Sequence, residues 1–514
     1  MKKIYGVLTL IFTLILVSCF EDEGSYSYHP IDEIAIEGLG DIHQHYAYIN
    51  DTLKITPTIP TNYKDLKYVW LLWNAEGGSD MDTIGENKNL TYEVNLKPGR
   101  YTVMLKVTSG TNGYSMAQTT QLEVITQFGR GFYILKENDE GNSELDFSPD
   151  GEKIVENLLY TSGVGVLSGK PLCMGPVYLH GYIDEQTDKT TSCNAVFVTT
   201  ASKQIAFYNT EDLSMTQGNA NVVYGGLTGN EEPYLAFTTP YTNYFLTGNG
   251  FYSESHEMKE YGSKASSAFA KNAGGGNGES RFIAMITVEI WGMPMNAYLY
   301  WNTQSQRIEL FAGSYSSYLD PYNEGNYSTA GMECLMCGAV GSSNKCYFLL
   351  KDAQGRKYLY ECDASTLSTV ARIEISAGSG LDKADCYATN AKTADYLYYV
   401  MDNKLYAYHL ADRKEGTTPL TLNGITGNEK IVHLSYQWIN VAEDKELGTN
   451  FTYLVVGTQE GDTYRVRMYD IVGGEPKELV HTIKGYGQFK SVAYISPRYD
   501  ANDYASPSSS SLPN

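Results

Sequence analysis

The sequence predicts an all-β protein in which an immunoglobulin-like sandwich is followed by a β-propeller-like domain. Tyrosine contributes 44 and glycine 49 of the 514 residues, whereas charged residues make up only 19%. Aromatic residues suit pleated strands and glycine suits the turns between them. About ninety residues of short strands come first. Groups of strands then recur at intervals of roughly fifty residues, a period typical of propeller blades.

The first nineteen residues have the pattern of a signal peptide. Lys2 and Lys3 precede an apolar run over residues 4–17, which a small residue and Cys19 then close. This run is shorter than the roughly 20 residues that span a bilayer. We therefore predict a lipoprotein signal peptide over residues 1–19, with Cys19 as the lipidated residue. The alternative is an ordinary secretory peptide in which Cys19 is incidental.

An acidic cluster follows directly, formed by Glu21, Asp22 and Glu23. It resembles the signal that sends Bacteroidota lipoproteins to the outer face of the outer membrane. We expect a lipid-anchored outer-membrane protein that faces the cell exterior, with residues 20–34 as a tether. The alternative for the acidic cluster is a solvated linker.

Net charge and cysteine content exclude several classes of protein. The formal net charge of −22 repels nucleic acid, so no nucleic-acid partner is expected. Without Cys19, seven cysteines remain, an odd number that cannot pair completely within one chain. Buried free thiols or one local bridge are expected. Cys334 and Cys337 have the spacing of a zinc half-site, but no second half follows, and no metal is predicted.

The predicted sandwich covers residues 35–126. Residues 53–59 alternate between apolar and polar side chains, residues 68–73 are apolar throughout, and residues 101–108 place alternate apolar side chains on one face. Residues 119–125 supply the last strand. This number of short strands, separated by turn residues, is typical of an immunoglobulin-like sandwich.

Two motifs of this region resemble a PKD-type domain: the strand Tyr68-x-Trp70 and the run Leu96-x-Pro98-Gly99-x-Tyr101-x-Val103-x-Leu105-x-Val107. The Gly-Asp-Gly turn usual after the core tryptophan is absent, and Leu71-Leu72-Trp73-Asn74 stands in its place. Behind a lipoprotein leader, such a domain resembles the PKD-like family lipoproteins of Bacteroidota.

The propeller-like domain is predicted over residues 127–497. Pairs of strands separated by tight turns recur along it, for example residues 396–401 with 404–409. Residues 132–137 and 489–495 are expected to complete one blade together, which removes an exposed sheet edge. We expect roughly six to eight blades. The alternative is an irregular double sheet or two stacked sandwiches. The serine-rich tail, residues 498–514, is predicted to be disordered.

No catalytic motif is found in the sequence. It lacks a nucleophile elbow and an H-E-x-x-H helix, so we predict a non-enzyme without a cofactor. Propeller hydrolases and lyases take catalytic carboxylates or histidines from separate blades, and this alternative stays open.

Aromatic residues in turn-rich stretches are the candidate ligand-binding residues. Exposed rings make rigid platforms for sugar rings or peptide backbone. The residues predicted to bind ligand are Tyr315, Tyr318, Tyr322, Tyr327 and Trp438. The alternative for each ring is packing inside or between blades.

The family resemblance implies a function. PKD-like lipoproteins are commonly companions of SusC/SusD-type outer-membrane uptake systems. The resemblance therefore implies a non-catalytic accessory that captures glycan or oligopeptide beside a TonB-dependent transporter. The alternatives are a surface hydrolase or lyase that acts on the same nutrient, and a structural or adhesive surface protein.

Overall fold

The computed structural model describes most of the chain after the tether: residues 33–39, 44–48, 51–75, 80–184, 187–229, 231–239, 242–256, 267–271, 282–340, 344–390, 393–439 and 451–496. Cys19, the acidic cluster Glu21, Asp22 and Glu23, and the tail after residue 496 lie outside these residues. Within them, the helices are short: α1 (Leu158–Thr161), α2 (Gly380–Lys383) and a 3-10 helix (Gly313–Tyr318). No helix of the described part has the length and apolar character needed to cross a membrane.

The first domain is a sandwich of two sheets. Its strands are β1 (Gln44–Tyr48), β2 (Thr52–Ile55), β3 (Leu66–Asn74), β4 (Asp82–Gly85), β5 (Leu90–Glu93), β6 (Gly99–Ser109) and β7 (Ser115–Ile125). One sheet has the order β1-β7-β6-β3-β4, and the other pairs β2 with β5. Strand β1 joins β7 in parallel, and the other pairs are antiparallel.

Strand alternation builds the core of this sandwich. On β6, Val103, Leu105 and Val107 are buried, as the sequence pattern predicts. The core tryptophan Trp70 packs among them, and its indole Nε1 donates a hydrogen bond of 2.8 Å to the carbonyl of Asn87. A buried indole N–H needs such a partner, because an unpaired polar group in the interior is costly.

The second domain contains the remaining strands. In chain order they are β8 (Gly131–Glu137), β9 (Ser143–Ser148), β10 (Pro171–Asp184), β11 (Lys189–Thr200), β12 (Ile205–Asn209), β13 (Met215–Gly218), β14 (Pro233–Thr238), β15 (Thr242–Thr247), β16 (Gly250–Ser255), β17 (Ala270–Lys271), β18 (Ile283–Ile290), β19 (Met293–Asn302), β20 (Arg307–Phe311), β21 (Glu333–Val340), β22 (Lys345–Lys351), β23 (Lys357–Asp363), β24 (Ser368–Glu374), β25 (Cys386–Thr389), β26 (Tyr396–Met401), β27 (Lys404–His409), β28 (Lys414–Glu415), β29 (Lys430–Ile439), β30 (Phe451–Glu460), β31 (Thr463–Val472), β32 (Glu475–Tyr486) and β33 (Gln488–Ile495).

Over the described residues these strands form seven sheets, the blades of a propeller. Blade 1 has the order β33-β8-β9. Blades 2 to 7 are formed by consecutive strands: β10–β13, β14–β17, β18–β20, β21–β24, β25–β28 and β29–β32. The fold is therefore the predicted all-β one, a sandwich followed by a propeller, and the blade number lies within the predicted range.

The last strand closes the ring. Strand β33 pairs antiparallel with β8, with Ile495 opposite Gly131 and Val492 opposite Ile134. The prediction that the first and last strands share one blade is therefore confirmed. Strand β33 also contacts β10 of blade 2 and β29 of blade 7, so the ring has no open edge between its two chain ends.

Blades pack on both of their faces, which explains their continuous apolar runs. In β22, Cys346, Phe348 and Leu350 face blade 4, where they meet Trp301. The alternate side chains, including Leu349, pack in a second cluster with residues of blade 6. A strand that is buried on both faces carries apolar residues at successive positions.

Buried carboxylates form hydrogen bonds that hold the segment before the first strand of a blade. Glu429, just before β29, accepts hydrogen bonds from both terminal nitrogens of Arg467, at 2.7 and 3.0 Å, and from Thr458. Burial alone would raise the pKa of Glu429, but the bonds from Arg467 and Thr458 outweigh it and lower the pKa to about 2. Glu231, before β14, accepts hydrogen bonds from Thr247 and Tyr252 in the same way. Each carboxylate ties the incoming segment to the second and third strands of its blade.

Candidate functional site

The turn between β18 and β19 carries an unusual residue. Its two central residues, Trp291 and Gly292, have φ values of 55° and 75°. Two positive φ values make a type I′ turn, in which asparagine is usual at the first position. A residue with a side chain costs roughly 1–2 kcal/mol in this left-handed conformation. A large aromatic residue at such a position is strained, and strain of this kind is concentrated at functional sites.

The hairpin extends past the third strand of its blade. The pair between β19 and β20 that is nearest the turn joins Tyr298 and Phe311, and the five residues of β19 before Tyr298 have no partner on β20. Because β20 runs back toward the turn, the 3-10 helix that follows it lies beside the exposed part of the hairpin. Ser316 holds this helix, since its hydroxyl donates to the carbonyl of Gly313 and accepts from the amide of Ala312.

This arrangement brings three aromatic rings together at the surface, and we call Trp291, Tyr315 and Tyr318 the aromatic cluster. The ring centres of Trp291 and Tyr318 are 4.7 Å apart and the planes meet at 66°, an edge-to-face contact. Tyr315 lies 6.5 Å from Trp291 at 81°. Trp291 is 67% exposed, Tyr318 59% and Tyr315 37%. The cluster therefore presents ring faces and phenol groups to solvent.

Two of the predicted tyrosines belong to this cluster, whereas Tyr322 and Tyr327 pack elsewhere. Tyr322 is half-buried, and its hydroxyl shares a hydrogen bond of 2.8 Å with that of Thr369. Burial raises the pKa of Tyr322. Tyr327 is also half-buried and packs against the core between blades 4 and 5. Trp438 lies on β29, opposite Thr452, and its side chain is outside the described residues.

Sequence reasoning missed Trp291, the most exposed member of the cluster. A signal for it is present in the chain: an aromatic residue directly before glycine, between two runs that alternate in the strand manner. A residue followed by glycine at this place predicts a type I′ hairpin turn. An aromatic side chain in that turn points away from the sheet, because the two central residues take no part in the ladder.

The strain at Trp291 leads to a stability prediction. Trp291→Ala and Trp291→Asn both remove the ring contacts, but asparagine tolerates the left-handed conformation and alanine does not. We expect the Trp291→Asn variant to be more stable than Trp291→Ala by about 1 kcal/mol. Urea unfolding of the two variants in parallel measures this difference. Equal midpoints would mean that the turn relaxes and stores no strain.

Buried ionisable residues elsewhere in the propeller are not placed to meet a substrate. His180 Nδ1 lies 3.4 Å from Glu254 Oε2, a pair that resembles a general base, but both side chains are fully buried. The His180 ring also stacks on Phe207, with centres 4.4 Å apart. Among the described residues, no three His, Cys, Asp or Glu side chains are grouped as a metal site.

A polar cavity of about 430 Å³ lies between the sandwich and blade 2. Arg100 and Glu123 line it from the sandwich, and Asn194 and Glu211 line it from the propeller. Burial raises the pKa of Glu211, and the neighbouring Asp212 adds to this effect. No aromatic ring lines this cavity, whereas the aromatic cluster offers a stacking surface of the kind that the sequence predicts for ligand binding.

Comparison with known proteins finds a family to which the N-terminal part of the chain is similar. A family model described as the PKD-like family matches residues 19–171. The match covers the sandwich and ends where β10 begins, so most of the propeller lies beyond it. No curated protein matches the chain.

Solved structures give only distant likenesses. A quinonprotein alcohol dehydrogenase-like protein from Bacteroides thetaiotaomicron is 14% identical, with 91% of this chain and 100% of that chain covered and a TM-score of 0.39. A DUF4784 family protein from Bacteroides caccae is 9% identical over 88% and 98% of the two chains, with a TM-score of 0.31. The WD40 propeller domain of Doa1 is 9% identical over 68% and 92%, with a TM-score of 0.36. At these values the likenesses carry no argument about function, and the N-terminal part of the chain is similar to the PKD-like family.

Proposed function

We propose that this protein is a lipid-anchored, non-catalytic surface protein that holds a glycan on the aromatic cluster while a SusC/SusD-type transporter imports it. The observation that carries the proposal is the exposed and strained Trp291, set edge-to-face against Tyr318. Asparagine is the usual residue at this position of a type I′ turn. The tryptophan costs stability, so we attribute it to binding.

The chemistry of the cluster fits a sugar better than a charged ligand. Sugar rings present apolar C–H faces, which pack against aromatic rings, and hydroxyls, which bond to phenol groups. No charged side chain belongs to the cluster. For comparison, the stacking of one nucleic-acid base on an aromatic ring contributes roughly 1–3 kcal/mol. A site of three rings therefore binds weakly and releases quickly, as transfer to a transporter requires.

Binding to soluble polysaccharides tests this proposal. The mature protein is screened by affinity electrophoresis against a panel of soluble glycans, and the affinity for each binder is then measured by calorimetry. We expect Trp291→Asn to weaken glycan binding by roughly 10- to 100-fold, which corresponds to a loss of about 1.4–2.8 kcal/mol. The turn conformation suits asparagine, so the loss reports on the ring and not on the fold.

The matched control is Tyr160→Ala, which removes a ring that is 74% exposed on α1, away from the cluster. Its binding is expected to equal that of the wild type. Equal affinities for wild type and Trp291→Asn would overturn the proposed site. Binding of peptides and not of any glycan would replace the glycan by an oligopeptide.

The anchor has its own test. Cys19→Ala is expected to move the protein from the membrane fraction to the soluble fraction without unfolding it, because the acyl chains contribute roughly 0.8 kcal/mol per buried methylene. Fractionation followed by immunoblotting measures this, with circular dichroism of the released protein as the control. Retention of the variant in the membrane would contradict the lipid anchor.

The partner is tested by purification of the tagged full-length protein from detergent-solubilised outer membranes, with mass spectrometry of what copurifies. Recovery of a SusC/SusD-like pair supports the uptake role. Recovery of the protein alone, at a yield that retains other known complexes, would contradict it and direct attention to glycan and peptide turnover assays.

A further inference from the structure

Blade 5 concentrates four of the buried thiols on one of its faces. Cys334 and Cys337 lie on β21, Cys346 lies on β22 and Cys362 lies on β23, all in the core between blades 4 and 5. Each is buried. Cys334 is opposite Leu350 and Cys337 is opposite Phe348, so neither faces a cysteine directly across the sheet.

Cys346 and Cys362 do face one another, as direct partners in the antiparallel pairing of β22 with β23. The amide of Ala364 donates a hydrogen bond to the carbonyl of Asn344, so these two residues are a hydrogen-bonded pair of the antiparallel ladder. Two residues along the ladder, Cys346 and Cys362 form a hydrogen-bonded pair of the same type, in which the Cα atoms are about 5.5 Å apart. Disulfides join Cα atoms about 4.4–6.8 Å apart. Both side chains point to the same face, as a bridge between them requires.

We propose that Cys346 and Cys362 form a disulfide across blade 5 when the chain folds in the presence of a disulfide donor, while the other cysteines of the propeller stay reduced. The site is independent of the proposed glycan binding. It would join the second and third strands of the blade next to the one that carries the aromatic cluster.

The reaction is an exchange with a donor such as oxidised glutathione. The Cys346 thiolate attacks the donor, which forms a mixed disulfide and releases one reduced glutathione. The Cys362 thiolate then attacks the Cys346 sulfur and releases the second. Two protein thiols are oxidised, one donor disulfide is reduced, and the two thiol protons leave with the products.

The burial of both thiols determines when this exchange takes place. Burial raises the pKa of Cys362 to about 12 and also raises that of Cys346, so little thiolate is present in the folded protein. Both sulfurs are also closed to the donor. The bridge therefore forms while blade 5 assembles, and the finished core then protects it from reduction.

Peptide mapping of the full chain tests the proposal. The denatured protein is refolded with a mixture of oxidised and reduced glutathione, unfolded again in an alkylating agent, and digested with trypsin. Lys345, Lys351, Lys357 and Arg372 place the two cysteines on separate short peptides, residues 346–351 and 358–372. We expect these two peptides to be recovered linked, with the mass of two hydrogens lost, and the remaining cysteines to be alkylated.

Two comparisons make the result decisive. Protein that is folded in reductant and only then treated with oxidised glutathione should show both peptides alkylated, because the core excludes the donor. In Cys362→Ala, the peptide 346–351 should be alkylated after oxidative refolding, with the circular dichroism spectrum unchanged. Alkylation of both cysteines in the refolded wild type, a lasting glutathione adduct, or a link from Cys346 to Cys337 would each overturn the proposal.

Discussion

Arg467→Met is expected to destabilise the protein by about 3–5 kcal/mol. The guanidinium is 4% exposed, and its two terminal nitrogens bind both oxygens of the buried Glu429 carboxylate. Methionine keeps most of the volume of arginine and removes the charge. The buried carboxylate then loses its hydrogen-bonded cation and keeps only the longer ion pair with Arg465, whose Nη1 lies 3.8 Å from Oε2. This loss costs far more than the loss of a surface ion pair. Urea unfolding at neutral pH measures the change.

Arg465 provides the comparison, because it lies two residues away on the same strand and is 23% exposed. Its Nη1 is 3.8 Å from the same Glu429 carboxylate, beyond hydrogen-bond distance, and 3.2 Å from Glu460. Arg465→Met is expected to cost less than about 1 kcal/mol, as is usual for an exposed ion pair. A similar loss in both variants would mean that the strand, and not the buried charge, is sensitive to substitution.

The dependence on pH separates charge from packing in this experiment. In the wild type, the folded-state pKa of Glu429 is about 2, below its ordinary value of 4.5, so its contribution is present above pH 4.5 and is lost as the pH falls through about 2. In Arg467→Met, burial without the cation raises the folded-state pKa. Protonation of Glu429 then removes the unpaired charge in the variant. The difference in the free energy of unfolding between the variant and the wild type therefore shrinks as the pH falls toward 4. A deficit that stays constant with pH would indicate lost packing instead.

Trp70→Ala is the second substitution with a large expected effect, about 3–5 kcal/mol of sandwich stability. The indole is fully buried between the two sheets, and its removal leaves a cavity and the Asn87 carbonyl without its donor. The sandwich has its own core, separate from those between the propeller blades. We therefore expect the loss in the unfolding transition of the sandwich, followed by the fluorescence of the remaining tryptophans and by limited proteolysis of residues 35–126.

Trp73→Ala serves as its control, since Trp73 lies on the same strand and is only partly buried. Its expected cost is clearly smaller. An equal loss for both substitutions would contradict the assignment of Trp70 as the centre of the core. A matching loss in the propeller transition would show that the two domains unfold as one unit.

Local sequence patterns predicted most of the hairpins, because strand alternation and turn residues act over only a few positions. Strands β26 and β27 were predicted with their observed bounds. The predicted strand over residues 53–59 ends earlier, at Ile55. Pro57 and Pro60 follow, and proline has no N–H for a ladder hydrogen bond. Beyond that point Thr58 forms an isolated bridge to Glu37, and the carbonyl of Pro60 accepts a hydrogen bond from the amide of Ala35.

The candidate site was harder to predict, because exposure depends on contacts between distant segments. Tyr315, Tyr318, Tyr322 and Tyr327 lie close together in the sequence and look alike. After the 3-10 helix, however, the chain leaves the hairpin and runs beside blade 5, where Asn323 forms a bridge with Ser368. The spacing of the tyrosines in the sequence does not indicate this change of direction. It is the change of direction that separates the exposed rings from the half-buried ones.

The pairing of β33 with β8 also has a consequence for biosynthesis. Strand β8 is made early, whereas its partner β33 is the last described strand and is made about 350 residues later, as in the pairing of Glu137 with Gln488. At roughly 5–20 residues per second, the hydrogen-bonding edge of β8 stays open for tens of seconds. Only a chain that has been made through Ile495 can cover this edge with the whole of β33. A chain that terminates before β33 keeps it exposed to proteases and to other strands, so ring closure distinguishes chains that contain β33 from chains that lack it.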